Sequence, residues 1–181
     1  MNRLLIPAAA VAALLGGGAA AASASLAGRD TIPPALAPFG SEHATLLDGF
    51  AAVLARAVTP SAGRAERQQF VVFLRTTLIP HAQVEERVLY PALDSVLGTR
   101  GFATATMVLD HRAIARLTVD LAALAPDDAA AFERKALAMA ALVESHFAKE
   151  EDFILPNLAR RMNDRDLRAL LSRMDAARIA Q

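Results

Sequence analysis

Cysteine and tryptophan are absent from this chain of 181 residues, tyrosine occurs once and histidine only four times. Without cysteine there can be no disulfide, iron–sulfur cluster or thiolate zinc site, so any metal site has to be built from histidine and carboxylate. Net charge is lacking too. Lys plus Arg and Asp plus Glu each number 19, which leaves no field to hold a polyanion, and nucleic-acid binding is not expected. Aromatics are scarce while alanine, leucine and arginine are frequent, a balance that favours helix over a β-rich sandwich. The sequence carries no glycine-rich phosphate loop, no G-x-S-x-G and no basic-aromatic stripe. Its length suits one domain with a single buried core.

The first 24 residues, MNRLLIPAAAVAALLGGGAAAASA, stand apart. An early arginine, an apolar run and Ala22-Ser23-Ala24 read as an export signal with its cleavage site, which predicts a periplasmic or extracellular protein. An uncleaved membrane anchor, or a disordered extension of a cytoplasmic protein, is the alternative; Pro7 and the Gly16–Gly18 run weaken the anchor. Residues 25–40 read as a proline-rich linker, and 41–181 as the folded domain.

From Ser41, a candidate N-cap, His43, Leu47, Phe50 and Leu54 recur at helical spacing. After TPSAG, a second helix presents Phe70, Leu74, Thr77, His81, Val84 and Val88 on one face, with Pro80 a candidate kink. Met107, His111, Ile114, Thr118 and Leu121 mark a third. Phe132, Met139, Val143, His146, Glu150 and Phe153 mark a fourth, and Asn163 caps a shorter fifth with Leu167, Leu170, Leu171 and Met174 on its apolar side. The pattern predicts an all-α, antiparallel up-down-up-down four-helix bundle with a short fifth helix packed outside.

Each of the four histidines falls on the inward stripe of a different long helix. At about 1.5 Å of rise per residue, the paths from His43 and from His81 to their common turn are about 25 and about 30 Å; for His111 and His146 they are about 21 and about 26 Å. Within each hairpin the two imidazoles therefore come level to about one helical turn. The blocks HAQVEERVLYP and HFAKEEDFILP match at 65 positions' separation, and His43 and His111, each preceded by an acid (Glu42, Asp110), lie 68 apart. The hairpin is repeated.

His81 with Glu85, and His146 with Glu150, are i,i+4 pairs that project from one side of a helix. With His43 and His111 they would surround one volume with four imidazoles and two carboxylates, an N/O set suited to iron and less well to manganese or zinc. Two ions are the economical count, His43 and His81 on one, His111 and His146 on the other, with Glu85 and Glu150 each bridging. Glu86 and Glu151, one residue on, are expected to face the bundle flank or water, with support to the ligands the alternative. Tyr90 is expected as a packing residue or interfacial hydroxyl rather than a donor to the cluster.

From Ser41 to Arg160 these residues resemble the hemerythrin-like (HHE cation-binding) domains: the isolated His43 and His111 and the two H-x-x-x-E-E blocks carry the likeness. The resemblance implies a four-helix bundle holding a carboxylate-bridged non-heme di-iron centre, with ligands His43, His81, Glu85, His111, His146 and Glu150. Two positions depart from the oxygen-carrying hemerythrins. Ala115 stands where those proteins have a further histidine one turn after His111, and Glu150 where they have aspartate. With two histidines per ion, both irons would keep open positions, which favours sensing, detoxification or redox chemistry with oxygen, nitric oxide or peroxide over oxygen transport. The competing expectations are a peroxidase-like enzyme at the same centre and a zinc-holding or metal-free helical interaction module.

Overall fold

The computed structural model describes residues 34–125 and 127–180, so the export-signal reading lies outside the described residues. Among those described there is no strand, and no helix is long and apolar enough to cross a membrane.

Five rods follow one another. A single 3₁₀ turn, Pro34–Leu36, leads into α1 (Ala37–Ala57). The second rod, α2 (64–97), is α-helical over Arg64–Phe73, Ile79–Val84 and Tyr90–Leu97, joined by two π-helical turns, Leu74–Leu78 and Glu85–Leu89. After α3 (Ala105–Ala123), α4 (129–161) comprises Ala129–Lys149, the π turn Glu150–Ile154 and Leu155–Arg161. The last, α5, is Asp164–Ile179. α1 packs along α2 and α3 along α4; α1 also meets α4, and α2 meets α3, which closes the group into a helical bundle.

Local chemistry explains the ends. Gly63 N–H donates to Glu66 Oε2 at 2.8 Å at the start of α2. Asp128 and Asn163 accept from the N–H groups of Ala131 and Asp166, both at 3.0 Å, and so cap α4 and α5. α2 stops at Gly98, whose φ of +70° is left-handed and suits glycine.

The start of α1 departs from expectation. Of the expected linker, the described residues 34–40 are helical and Ser41 is not the cap: Pro38 sits in the first helical turn, where its missing N–H costs nothing. Leu36 and Phe39 are buried there and anchor the helix five residues early.

The three π turns correct the expected inward stripes in one consistent way. Pro80, Pro91 and Pro156 each lie just beyond such a turn. Proline has no N–H for an α-helical bond and its ring crowds the carbonyl four residues back. The chain widens instead: the N–H groups of Ile79, Tyr90 and Leu155 donate to the carbonyls of Leu74, Glu85 and Glu150, five residues back. One extra residue per turn moves the stripe on by one place. Thr77, Val88 and Phe153 were the expected core positions, but Leu78, Leu89 and Ile154 are the buried ones, and Phe153 is 45% exposed.

The core is divided. One apolar cluster gathers Phe50, Leu54, Phe70, Leu74, Phe132 and Met139 with their neighbours. The other gathers Leu36, Phe39, Leu89, Leu93, Leu155 and Leu158, and α5 closes it with Leu167, Leu170 and Met174. Burial of those three side chains is worth about 2 kcal/mol each, so α5 belongs to the fold. His43, His81, His111, His146, Glu85 and Glu150 are all buried as well.

Candidate metal centre

The six predicted residues converge. Nitrogen and oxygen atoms of His43, His81, Glu85 and Glu150 lie within 4.8 Å of one another, and so do those of Glu85, His111 and His146. Glu85 belongs to both groups. Its Oε1 is 2.8 Å from His81 Nε2 and 3.5 Å from His43 Nε2, whereas Oε2 turns to His111 Nε2 at 3.4 Å. Glu150 Oε2 lies 3.5 Å from His43 Nε2 and 3.7 Å from His146 Nε2. The π turns begin at these two glutamates, so the proline at the end of each block sets the backbone from which its carboxylate projects.

Each imidazole meets a second acid at its other nitrogen. His81 Nδ1 is 3.0 Å from Glu42 Oε1, His111 Nδ1 2.9 Å from Glu86 Oε1, and His146 Nδ1 3.4 Å from Asp110 Oδ2. His43 Nδ1 has Glu151 Oε1 at 3.9 Å. A carboxylate can only accept, so the Nδ1 proton points outward at His81, His111 and His146, and the Nε2 atoms point toward Glu85 and Glu150. The expected facing of Glu86 and Glu151 to flank or water holds only in part, and the alternative of support to the ligands is seen beside it: each is partly exposed yet reaches an imidazole across the repeat. Glu42 and Asp110 were visible in the sequence as acids preceding His43 and His111, but each serves the other histidine of its own hairpin.

Tyr90 also departs from expectation. It is buried, but its hydroxyl donates to Glu150 Oε1 at 2.7 Å and lies 3.2 Å from His111 Nε2. Its ring stacks on His111, with centroids 5.5 Å apart. Sequence reasoning missed the aromatic wall on the other side, Phe39 and Phe147, whose centroids lie 4.2 and 4.5 Å from that of His43. Spacing could have found Phe39, one turn before His43.

The protonation pattern is uneven. Burial opposes charge on His81, but Glu85 and Glu42 prevail and hold its pKa up at about 10. His146 goes the other way, to about 4, through burial and the positive charge of His111. Burial and the charge of Glu85 push Glu150 up to about 8. Glu85 itself stays well below the usual carboxylate range despite its burial, because His81, His111 and His43 surround it. The 2.9 Å contact between His111 Nε2 and His146 Nε2 fits a protonated His111 donating to a neutral His146.

Whether these residues suit a cation can be judged from their unmet bonds. Among the described residues, seven buried side-chain N or O atoms lack a hydrogen-bond partner, and six are here: both ring nitrogens of His43, His81 Nε2, both oxygens of Glu85 and Glu150 Oε2. The contacts these atoms make fall outside hydrogen-bond geometry in angle or in distance. Leaving such atoms unpaired costs about 1–3 kcal/mol each, and shared coordination would remove that cost. The donor set fits a metal.

Fold and site together define a helical bundle with a buried His/Glu cluster able to hold metal. The family of the hemerythrin HHE cation-binding domain matches residues 37–158. The chain belongs to that family, whose domains bind metal ions, typically iron. No curated protein and no solved structure gives a match.

Proposed function

We propose that the chain is an antiparallel up-down-up-down bundle holding two non-heme iron ions, with His43 and His81 on one, His111 and His146 on the other, and Glu85 and Glu150 between them. The carrying observation is that His43 Nε2, His81 Nε2, both oxygens of Glu85 and Glu150 Oε2 are buried and unpaired, while Nε2 of His111 and of His146 faces the same volume. Two irons held by these residues would supply electron exchange with oxygen, nitric oxide or peroxide, and the proposed role is sensing, detoxification or redox chemistry.

The chain's own residues do the rest. Glu42, Glu86 and Asp110 fix imidazole orientation through Nδ1. The Tyr90 hydroxyl donates its one proton to Glu150 Oε1 and so holds that carboxylate beside His111. Phe39 and Phe147 keep water from the His43 side. Iron per chain, with an absorption spectrum of the oxidised protein, tests the reading for wild type and His81→Ala. Two irons in the former and a loss in the latter are expected; under about one iron per chain in wild type after anaerobic loading would sink it.

A second reading, turnover of peroxide or a small organic substrate at the same centre, is favoured by one observation. A cleft of about 740 Å³, lined by Glu86, Tyr90, Thr104 and Val108 among others, reaches the outer side of Tyr90. Many turnovers per centre of peroxide with a small organic reductant, measured on the iron-loaded protein, would support the second reading; one stoichiometric reaction per centre would leave the first. For the N-terminus, the proposal is export with cleavage before Ser25, to be checked by N-terminal sequencing of the native protein.

A further inference from the structure

The family match ends at residue 158, before α5 begins at Asp164. The far end of this helix nevertheless lies one side chain from the imidazole cluster. Arg178 Nη2 donates to Glu42 Oε2, and the other oxygen of that carboxylate is 3.0 Å from His81 Nδ1. Arg87 of α2 donates to the carbonyl of Ala177 at 3.0 Å, which pins the same end of α5 to α2. Arg178 is also held by Asp175 at 3.1 Å, so its guanidinium is fixed from both sides. The second hairpin has a parallel: Lys149 donates to Asp110, and Asp110 faces His146. There the cation comes from α4 itself. In the first hairpin it comes from a separate helix.

We infer that Arg178 is a positioning residue for the metal centre: through Glu42 it fixes the His81 imidazole with Nε2 facing Glu85, and thereby couples the docking of α5 to ion binding in the His43/His81 half. The inference rests on the proposed metal-binding function. A guanidinium on one oxygen of Glu42 leaves the other to accept from Nδ1, and a fixed carboxylate holds both the tautomer and the ring plane of a ligating histidine. Binding linkage is reciprocal, so an ion held by His81 must in turn hold α5 more firmly.

The test is an anaerobic titration of the full chain with ferrous iron alone. It compares wild type, Arg178→Gln, which keeps the aliphatic stem, Arg178→Lys, Glu42→Gln, the Arg178→Gln/Glu42→Gln double variant, and Arg168→Ala as an exposed α5 control. One of the two binding steps should weaken about 10–100-fold in Arg178→Gln, with the other unchanged. Arg178→Lys should recover most of the loss, and Arg168→Ala should bind as wild type. In the double variant the Arg178 change should add nothing to Glu42→Gln, since the arginine acts through that carboxylate. Amide exchange over 164–179 should slow on iron loading in wild type and not in Arg178→Gln.

Wild-type affinity in Arg178→Gln, additive losses in the double variant, or failure of Arg178→Gln to fold without metal would each overturn the inference while leaving the proposed function standing. A wild-type chain that takes up no iron would overturn both.

Discussion

The two hairpins carry the same donors but not the same surroundings. Counting from the paired histidines, Phe39 in the first half corresponds to Met107 in the second, Phe147 of the second block to Ala82 of the first, and Tyr90 to Leu155. All six are buried. The outcome is a cluster whose donors repeat inside an asymmetric frame. His43 is enclosed by two phenylalanine rings, whereas His111 lies under the only tyrosine, on the side of the 740 Å³ cleft. On the proposed function, repetition would set where an ion is held, and the unmatched aromatics from which side a small molecule meets it.

The strongest test of that division is Glu85, which reaches the two halves with separate oxygens, whereas Glu150 reaches both with one. Glu85 faces His43 and His81 with one oxygen and His111 with the other. Glu85→Gln should therefore lose both ions, and Glu150→Gln, whose Oε1 is already taken by Tyr90, should retain one. Iron per chain after anaerobic loading reads this directly. Equal losses in the two variants would show that the carboxylates are interchangeable and the halves alike.

A smaller effect is expected at Tyr90. Removing the hydroxyl in Tyr90→Phe leaves Glu150 Oε1 buried without its donor, which should destabilise the metal-free protein by about 1–3 kcal/mol in a urea melt. Iron content should hold while the rate of azide or oxygen binding changes, because Tyr90 lines the cleft while its hydroxyl reaches the cluster. An unchanged rate would remove the cleft side from the comparison.

Protonation should separate the halves as well. His81 titrates near 10 when folded against 6.5 for a free imidazole, so its stabilising contribution is complete below about pH 6.5 and fades as pH climbs toward 10. His146, depressed to about 4, contributes above about pH 6.5 and loses that contribution as pH falls toward 4. The metal-free protein should thus weaken on both flanks, each flank owing to a different hairpin. Near neutral pH the His43/His81 half must release the His81 proton to take an ion, whereas His146 is already neutral. Imidazole NMR titrations of the metal-free chain would show it; two midpoints close to 6.5 would contradict the assignment.

Much of this was legible in four histidines and two repeated blocks, because i,i+4 pairs and a uniform helical rise fix direction and depth without reference to partners. The six converging residues and the capping role of Asn163 follow from such local rules. What was not legible depended on packing between helices. Glu42 and Glu86 look like surface acids from their own helices, and only the neighbouring rod brings His81 or His111 within 3.0 Å. Tyr90 reads as core by its spacing, yet its ring reaches across to α3 and its hydroxyl to Glu150 on α4. The proline-rich approach to α1 read as linker because prolines often mark loops, but one within the first turn starts a helix as readily.

The π turns were also missed, though their cause stood in the sequence at Pro80, Pro91 and Pro156. They offer the gentlest test, in a pair of neighbours. A regular α-helix would place Phe153 on the inward stripe with Glu150, and Phe153→Ala would then cost several kcal/mol. With the turn widened before Pro156, Phe153 points out and Ile154 takes the core place. Ile154→Ala should therefore cost about 2–5 kcal/mol, while Phe153→Ala should stay within about 0.5 kcal/mol. Leu89, its equivalent in the first hairpin, should behave as Ile154 does, since Pro91 forces the same extra residue there. If urea melts instead found Phe153 the costlier loss, the widened turn would be wrong in α4, and with it the backbone that aims Glu150 at His43.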